Sequence, residues 1–199
     1  AFAVKSFLTK KFKKKKIILK SKINNFSQYI NLLLKVTRSF DEPVHFSNSP
    51  DLLNMVNQAS KDGIKVLLSG EGSDELFFGY EQFFKTYEFL TRNKSKKSFI
   101  EQMYFGGGKH SIDCIKKICR PTKQEYKMSA SWLWLEKNAN KHPVEDLIPM
   151  FSQKFRMQML MQRQDRVGML CGLEMRVPFL SKNLVNFTTS LKLKDKYKK

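Results

Sequence analysis

Residues 63–80 read GIKVLLSGEGSDELFFGY, and the fold class turns on this stretch. Ile64 to Leu68 is an apolar run bounded by Gly63 on one side and Ser69-Gly70 on the other. A short apolar run set between helical patterns predicts a buried parallel strand. From Asp74 onward the apolar residues fall at Leu76, Phe77, Tyr80, Phe83, Phe84, Tyr87 and Leu90, which is helical periodicity. The stretch therefore reads as strand, glycine turn, helix. In open α/β sheets, ligands bind outside the carboxyl ends of strands, which is where this turn lies.

Upstream, Ile17-Ile18-Leu19 is a short strand candidate, and Phe26, Ile30, Leu33 and Leu34 mark an amphipathic helix ending near Arg38. Asp41-Glu42-Pro43 breaks that pattern. Ser49 as N-cap and Pro50 at the first helical position open a further helix, with Leu52, Leu53 and Val56 on one side. Downstream, Arg92 to Lys97 reads as a basic loop and Gly106-Gly107-Gly108 as another break, and the stretch around Trp132 and Trp134 is expected to be helical. A Met- and Gln-rich helical pattern runs from Phe151 to Met175, with Pro178 ending it. The fold class is α/β, the later part of an α/β domain with a helical lobe.

The chain has 199 residues, and 37 Lys+Arg against 18 Asp+Glu leave a formal charge of +19. With 41% hydrophobic residues it has material for a core, which excludes wholesale disorder. No apolar run approaches the length of a membrane span, and the start has neither an h-region nor a cleavage site of a signal peptide. Cys114, Cys119 and Cys171 follow no disulfide spacing and suit reduced thiols in a cytoplasmic protein. Lysines crowd residues 1–22 and the tail LKLKDKYKK, which reads as a solvated basic surface. A nucleic-acid partner is not expected, because no arginine-rich face, zinc-finger spacing or aromatic RNA-binding motif accompanies them.

Against this background the turn is acidic. Residues 69–88 hold Glu71, Asp74, Glu75, Glu81 and Glu88 against Lys85. Acids in a first helical turn can complement the helix dipole, and that accounts for Asp74 and Glu75. It does not account for Glu71, placed between two glycines. Carboxylates beside a phosphate repel it unless Mg²⁺ intervenes, and Mg²⁺ is commonly held by one or two carboxylates plus substrate phosphates. The residues alone thus suggest a Mg-nucleotide site. The dinucleotide fingerprint fails at its third glycine, and Gly107-Gly108-Lys109-His110-Ser111 departs from the Walker motif. His110, Cys114 and Cys119 miss zinc-ligand spacing, His45 and His142 are lone, and the Met150, Met157, Met159 and Met161 run suits core filling.

VLLSGEGSDELFFGY resembles the LSGEG(S/A)DELFGGY signature of asparagine synthetases, in their ATP-pyrophosphatase synthetase domain. RQDRVGMLCGLEMRVPFL (163–180) is similar to that family's RDRMSMAHGLEVRVPFLD, and FDEPVHFSNSPDLLNMVNQASKDGIKV follows its DEP segment and the next helix. Phe78 stands where the family has the first glycine of GGY, Ser181 replaces the Asp after PFL, and Cys171-Gly172 falls in a variable part of the second motif. The resemblance implies part of a parallel-sheet ATP-pyrophosphatase domain (adenine nucleotide alpha-hydrolase-like) with a helical C-terminal lobe. Residues 1–199 are expected to be one partial synthetase domain. The family's SGGxDS pyrophosphate loop and N-terminal glutaminase domain are not in it, so the chain by itself is expected to be inactive.

The resemblance also implies roles. Ser69 and Gly70 would contact the nucleotide, and Asp74 would bind Mg²⁺ on the pyrophosphate of ATP. Glu71 would take a proton from ammonia or orient the acyl-adenylate. Asp165 and Arg166 would line the substrate side, and Glu174, Arg176, Pro178 and Phe179 would be architectural. The implied reaction is ATP-dependent amidation of aspartate through β-aspartyl-AMP, with ammonia derived from glutamine. Cofactors would be ATP and Mg²⁺, and a homodimer of the full-length parent is compatible with this reading. Alternatives are a related amidotransferase acting on another carboxylate, which Phe78 and Ser181 keep open, and a non-catalytic basic nucleic-acid-binding module.

Overall fold

The protein is described by a computed structural model covering residues 24–40, 44, 46–92, 100, 103 and 129–196. The expected strand at 17–19, the N-terminal basic helix, most of the basic loop, the Gly106–Gly108 break, His45, His110, Cys114 and Cys119 lie outside the described residues. The chain divides into two compact units, Ala1–Leu67 with Arg163–Met175, and Leu68–Gln162 with Arg176–Lys199. The backbone passes between them inside a strand, inside a long helix and inside a second strand.

In the first unit, α1 (Phe26–Phe40) and α2 (Ser49–Lys61) are amphipathic and bury their apolar sides together. Val36, Phe40, Leu53, Val56, Ala59, Val167 and Leu173 make the core. Pro50 sits in the first turn of α2 as the sequence predicts, but the cap is Asn48 rather than Ser49. The Leu52 N–H donates to the Asn48 carbonyl at 3.0 Å, so Ser49 is already helical, and it is fully buried.

Strand β1 is Val66–Leu68, and it pairs in parallel with β2, Glu174–Arg176. The Glu174 N–H donates to the Lys65 carbonyl at 2.9 Å and the Ser69 N–H to the Arg176 carbonyl at 2.8 Å, which sets the register. The parallel strand lies within the expected run from Ile64 to Leu68 but starts two residues later, and it is not buried. Val66 is 40% and Leu68 72% exposed. Among the described residues β2 is its one neighbour, so its other edge is unpaired by them, and Val66 and Leu68 share the face they leave open, while Leu67 packs on the core of the first unit. The segment expected to be helical as far as Met175 is also corrected. The helix α7 (Met157–Leu170) closes with the Leu173 N–H donating to the Gly168 carbonyl at 3.1 Å, and the chain then becomes extended to reach β1. Val177, ahead of Pro178, lies outside the helical region at φ −122° and ψ 81°, the region a following proline disfavours.

The second unit carries α3 (Ser73–Phe77), α4 (Glu81–Arg92), α5 (Ala130–Asn138) and α6 (Val144–Phe151). After α6 comes a π turn, Ser152–Arg156, leading into α7. Beyond β2 lie a 3₁₀ turn (Pro178–Leu180), α8 (Lys182–Ser190) and α9 (Leu193–Lys196). The Trp132/Trp134 helix is α5, capped by Ser129, whose hydroxyl accepts from the Trp132 N–H at 3.3 Å. Phe78, Phe83, Leu90, Trp132, Leu135, Leu147 and Ile148 fill its core. Pro149 lies within α6, and the π turn begins three residues later. No helix among the described residues is long and apolar enough to cross a membrane.

Candidate nucleotide site

The turn from Ser69 to Gly72 leaves β1 at its carboxyl end and enters α3 directly. Ser69 is held in place by its N–H bond to Arg176 of β2, and its hydroxyl accepts from the Glu71 N–H at 3.3 Å. Gly72 caps α3 at φ 93°, a left-handed conformation that favours glycine. It is also crowded, because a Cβ there would stand 2.6 Å from Leu180 Cδ2. The acidic turn therefore packs on the Pro178–Leu180 segment, and the Phe77 and Phe179 rings meet edge to face with centroids 6.5 Å apart. Within the second unit, residues far apart in sequence build one structure: the acidic turn and the VPFL end of the second motif.

The helical periodicity running from Asp74 to Leu90 is broken in the structure. Helix α3 stops at Phe77, and Phe78 adopts φ 63° and ψ 38°, the one positive-φ non-glycine residue described. A left-handed bulky residue costs roughly 1–3 kcal/mol. Phe78 is 1% exposed, and its ring packs edge-on to Phe83 at 5.3 Å and Phe84 at 5.1 Å. Burial of such a ring returns about 1.5–3 kcal/mol, enough to offset the strain. This is the position where the resembled family has glycine.

After the break, Gly79 lies against Asp74. Its N–H donates to the Asp74 carbonyl at 2.9 Å, and a Cβ on Gly79 would overlap Asp74 Oδ1. The Asp74 side chain is exposed, and no cation of the described residues forms an ion pair with it. Glu71 is half-buried on the same turn. These are hard oxygen donors at a strand's carboxyl end, Asp74 exposed and Glu71 half-buried, and they suit Mg²⁺ shared with phosphate oxygens. Among the described residues no three His, Cys, Asp or Glu gather to hold a metal by themselves.

Glu75 stands in the first turn of α3, as the helix-dipole reading has it, and it is 1% exposed, which that reading does not foresee. The Tyr80 hydroxyl donates to Glu75 Oε1 at 2.7 Å, and Arg156 Nε lies 3.8 Å from the same oxygen. The Arg156 guanidinium sits 4.5 Å above the Tyr80 ring. Burial pushes the Tyr80 phenol well above its ordinary pKa, and the hydrogen bond and charge of Glu75 push it further, with Arg156 opposing. The available signal for Glu75 was its sequence position, one residue after Asp74 and five before Tyr80.

Of the other expected residues, Gly70 is exposed within the turn, and Asp165 and Arg166 lie on α7 in the first unit. Asp165 is exposed, whereas Arg166 donates to the Ser39 carbonyl and lies 5.8 Å from the Phe40 ring centre. A separate cavity of about 660 Å³ in the second unit is lined by residues that include Tyr87, Glu88, Glu145, Asp146, Lys192 and Leu193, and none of the turn residues.

A glycine-flanked acidic turn between a parallel strand and a short helix defines the class: an α/β protein with its candidate site at a strand's carboxyl end. The profile of the asparagine synthase family matches residues 16–199, and the chain belongs to that family. It is 25% identical over 209 residues to asparagine synthetase (glutamine-hydrolysing) 1 of Bacillus subtilis, covering 89% of this chain and 32% of that one. It is 23% identical over 188 residues to a Methanocaldococcus jannaschii protein provisionally named asparagine synthetase (glutamine-hydrolysing) 1, covering 89% of this chain and 24% of that one. The chain thus spans about a quarter to a third of the length of these curated relatives. No solved structure matches it.

Proposed function

We propose that the protein carrying this chain amidates aspartate to asparagine at the expense of ATP, with ammonia derived from glutamine. The observation that carries the proposal is the Ser69–Asp74 turn, acidic and glycine-flanked at the carboxyl end of β1, in a chain of the asparagine synthase family. The carboxylate oxygen of aspartate attacks the α-phosphorus of ATP, the bond to the β-phosphate breaks, and pyrophosphate leaves. Ammonia then attacks the acyl carbon of the adenylate, sheds a proton, and AMP leaves. Ser69 and Gly70 position the nucleotide beside the strand end, and Asp74 is the metal ligand of this scheme. When bound there, Mg²⁺ neutralises charge on the pyrophosphate. Glu71 takes the proton from ammonia or orients the adenylate, and Asp165 and Arg166 belong to the substrate side. A cytoplasmic setting suits the three cysteines, which follow no disulfide spacing.

A second reading, amidation of another carboxylate, is favoured by Phe78 and Ser181, which depart from the resembled motifs beside the turn. One assay separates the two. The full-length protein is incubated with Mg-ATP, glutamine and a panel of carboxylates, and pyrophosphate and amide are measured. Aspartate-dependent pyrophosphate release with asparagine formed is the expected result. Release with a different carboxylate alone would transfer the activity to the second reading.

A further inference from the structure

The buried carboxylate of Glu75 has a consequence for its neighbour. Helix α3 is five residues long, too short to hold its own orientation, so contacts with the rest of the unit decide which way Asp74 points. Apolar anchors are already present, since Leu76 is 1% exposed and Phe77 meets Phe179. A carboxylate beside them adds no stability that an apolar side chain would not add more cheaply. Oε2 of Glu75 is moreover buried with no hydrogen-bond partner among the described residues. What the carboxylate adds is direction. Its bond from Tyr80 ties the first turn of α3 to the residue after Gly79, and so closes residues 75–80 into a loop. Gly79, inside that loop, is the surface against which the Asp74 carboxylate rests.

Arg156 fixes the same loop from outside. It stands at the end of the π turn Ser152–Arg156. One extra residue in a helical turn rotates the following side chains by roughly 100°, and π turns recur at functional sites. Here the turn brings the guanidinium over the Tyr80 ring and beside Glu75.

We propose that Glu75, Tyr80 and Arg156 are positioning residues that set the direction in which Asp74 presents its carboxylate to the metal-bound nucleotide. The inference rests on the assignment of Asp74 as a metal ligand. Mn²⁺ in place of Mg²⁺ makes it testable without turnover, because free Mn²⁺ is read by electron paramagnetic resonance. The full-length protein and its Tyr80→Phe, Glu75→Gln, Arg156→Ala and Asp74→Asn variants are titrated with Mn²⁺·ATP, and their melting curves are recorded. Loss of a group hydrogen-bonded to a metal ligand typically weakens metal binding about 10–100-fold, and a group that acts on Asp74 through Gly79 should reach the lower end of that range, about 10-fold. We expect that loss in Tyr80→Phe and Glu75→Gln, with cooperative melting kept and metal-free ATP binding unchanged. Should Glu75→Gln fail to fold, Arg156→Ala carries the test with Tyr80→Phe, since the Arg156 side chain is 45% exposed. Wild-type Mn²⁺·ATP affinity in the positioning variants, with affinity lost in Asp74→Asn, would overturn the proposal alone. Wild-type affinity in Asp74→Asn would remove the ligand assignment, and the proposal with it.

Discussion

Gly79 is seated against the Asp74 carboxylate: its N–H donates to the Asp74 carbonyl at 2.9 Å, and a Cβ in its place would overlap Oδ1. A glycine and an acid five positions apart are thereby one structural feature. Gly79→Ala is expected to turn the Asp74 side chain aside. Stability should fall by only about 1 kcal/mol, because Gly79 is exposed and its backbone needs no positive φ. ATP–pyrophosphate exchange should fall by about 10²–10³-fold, as it does when one preorganised electrostatic contact is lost. The two quantities are read from a urea melt and an isotope-exchange assay on the same preparation.

Phe78 tests the balance between strain and packing. Glycine accepts φ 63° without strain, so Phe78→Gly relieves backbone energy while emptying the space beside Phe83 and Phe84. Loss of a buried Phe ring costs about 3–5 kcal/mol, and relief of the strain returns about 1–3 kcal/mol. The variant should therefore be less stable by about 2 kcal/mol. A gain in denaturation midpoint would mean that the ring is not what holds the break.

Much of this was legible in the sequence, for identifiable reasons. The strand, the turn and the helix at Trp132 follow from local pattern and capping, which act over a few residues. The break at Phe78 was not legible, because the apolar spacing from Leu76 to Leu90 continues through it and only the ring's destination favours a left-handed backbone. The burial of Glu75 was not legible for a related reason: an acid in a first helical turn complements the dipole whether or not it is solvated, and this burial depends on Tyr80 and on Arg156, 81 positions away. The extended stretch at Glu174–Arg176 hid in a helical pattern, since its cause is the pairing with β1, 106 or more positions earlier in the chain.

Tyr80 predicts a pH dependence. Burial, with the bond and charge of Glu75, raises its pKa in the folded protein, Arg156 opposes this, and Asp74 adds a smaller raising effect. The folded protein then holds the phenolic proton more tightly than the unfolded chain does. The stabilising contribution is complete below the unfolded value of about 10, and it is lost as pH rises through the higher folded value. Denaturation midpoints between about pH 9 and pH 11 should fall more steeply in wild type than in Tyr80→Phe. Parallel curves would show that the hydroxyl does not respond to its surroundings in this way.

Glu71 separates the two chemical steps. Glu71→Gln keeps the size of the side chain and removes the carboxylate that the proposed mechanism uses to take the proton from ammonia or orient the adenylate. Amide formation should fall far more than pyrophosphate release, since only the second step gives up a proton from ammonia. Equal losses in both would place Glu71 in adenylation.

The most direct measurement is ATP–pyrophosphate exchange in the full-length protein with Asp74→Asn. Asparagine at position 74 keeps the shape of the side chain against Gly79 and removes the charge. The account predicts exchange lowered by about 10²–10³-fold, with the melting curve of the wild-type protein. Wild-type exchange in that variant would contradict the placement of the nucleotide and its metal at the Ser69–Asp74 turn.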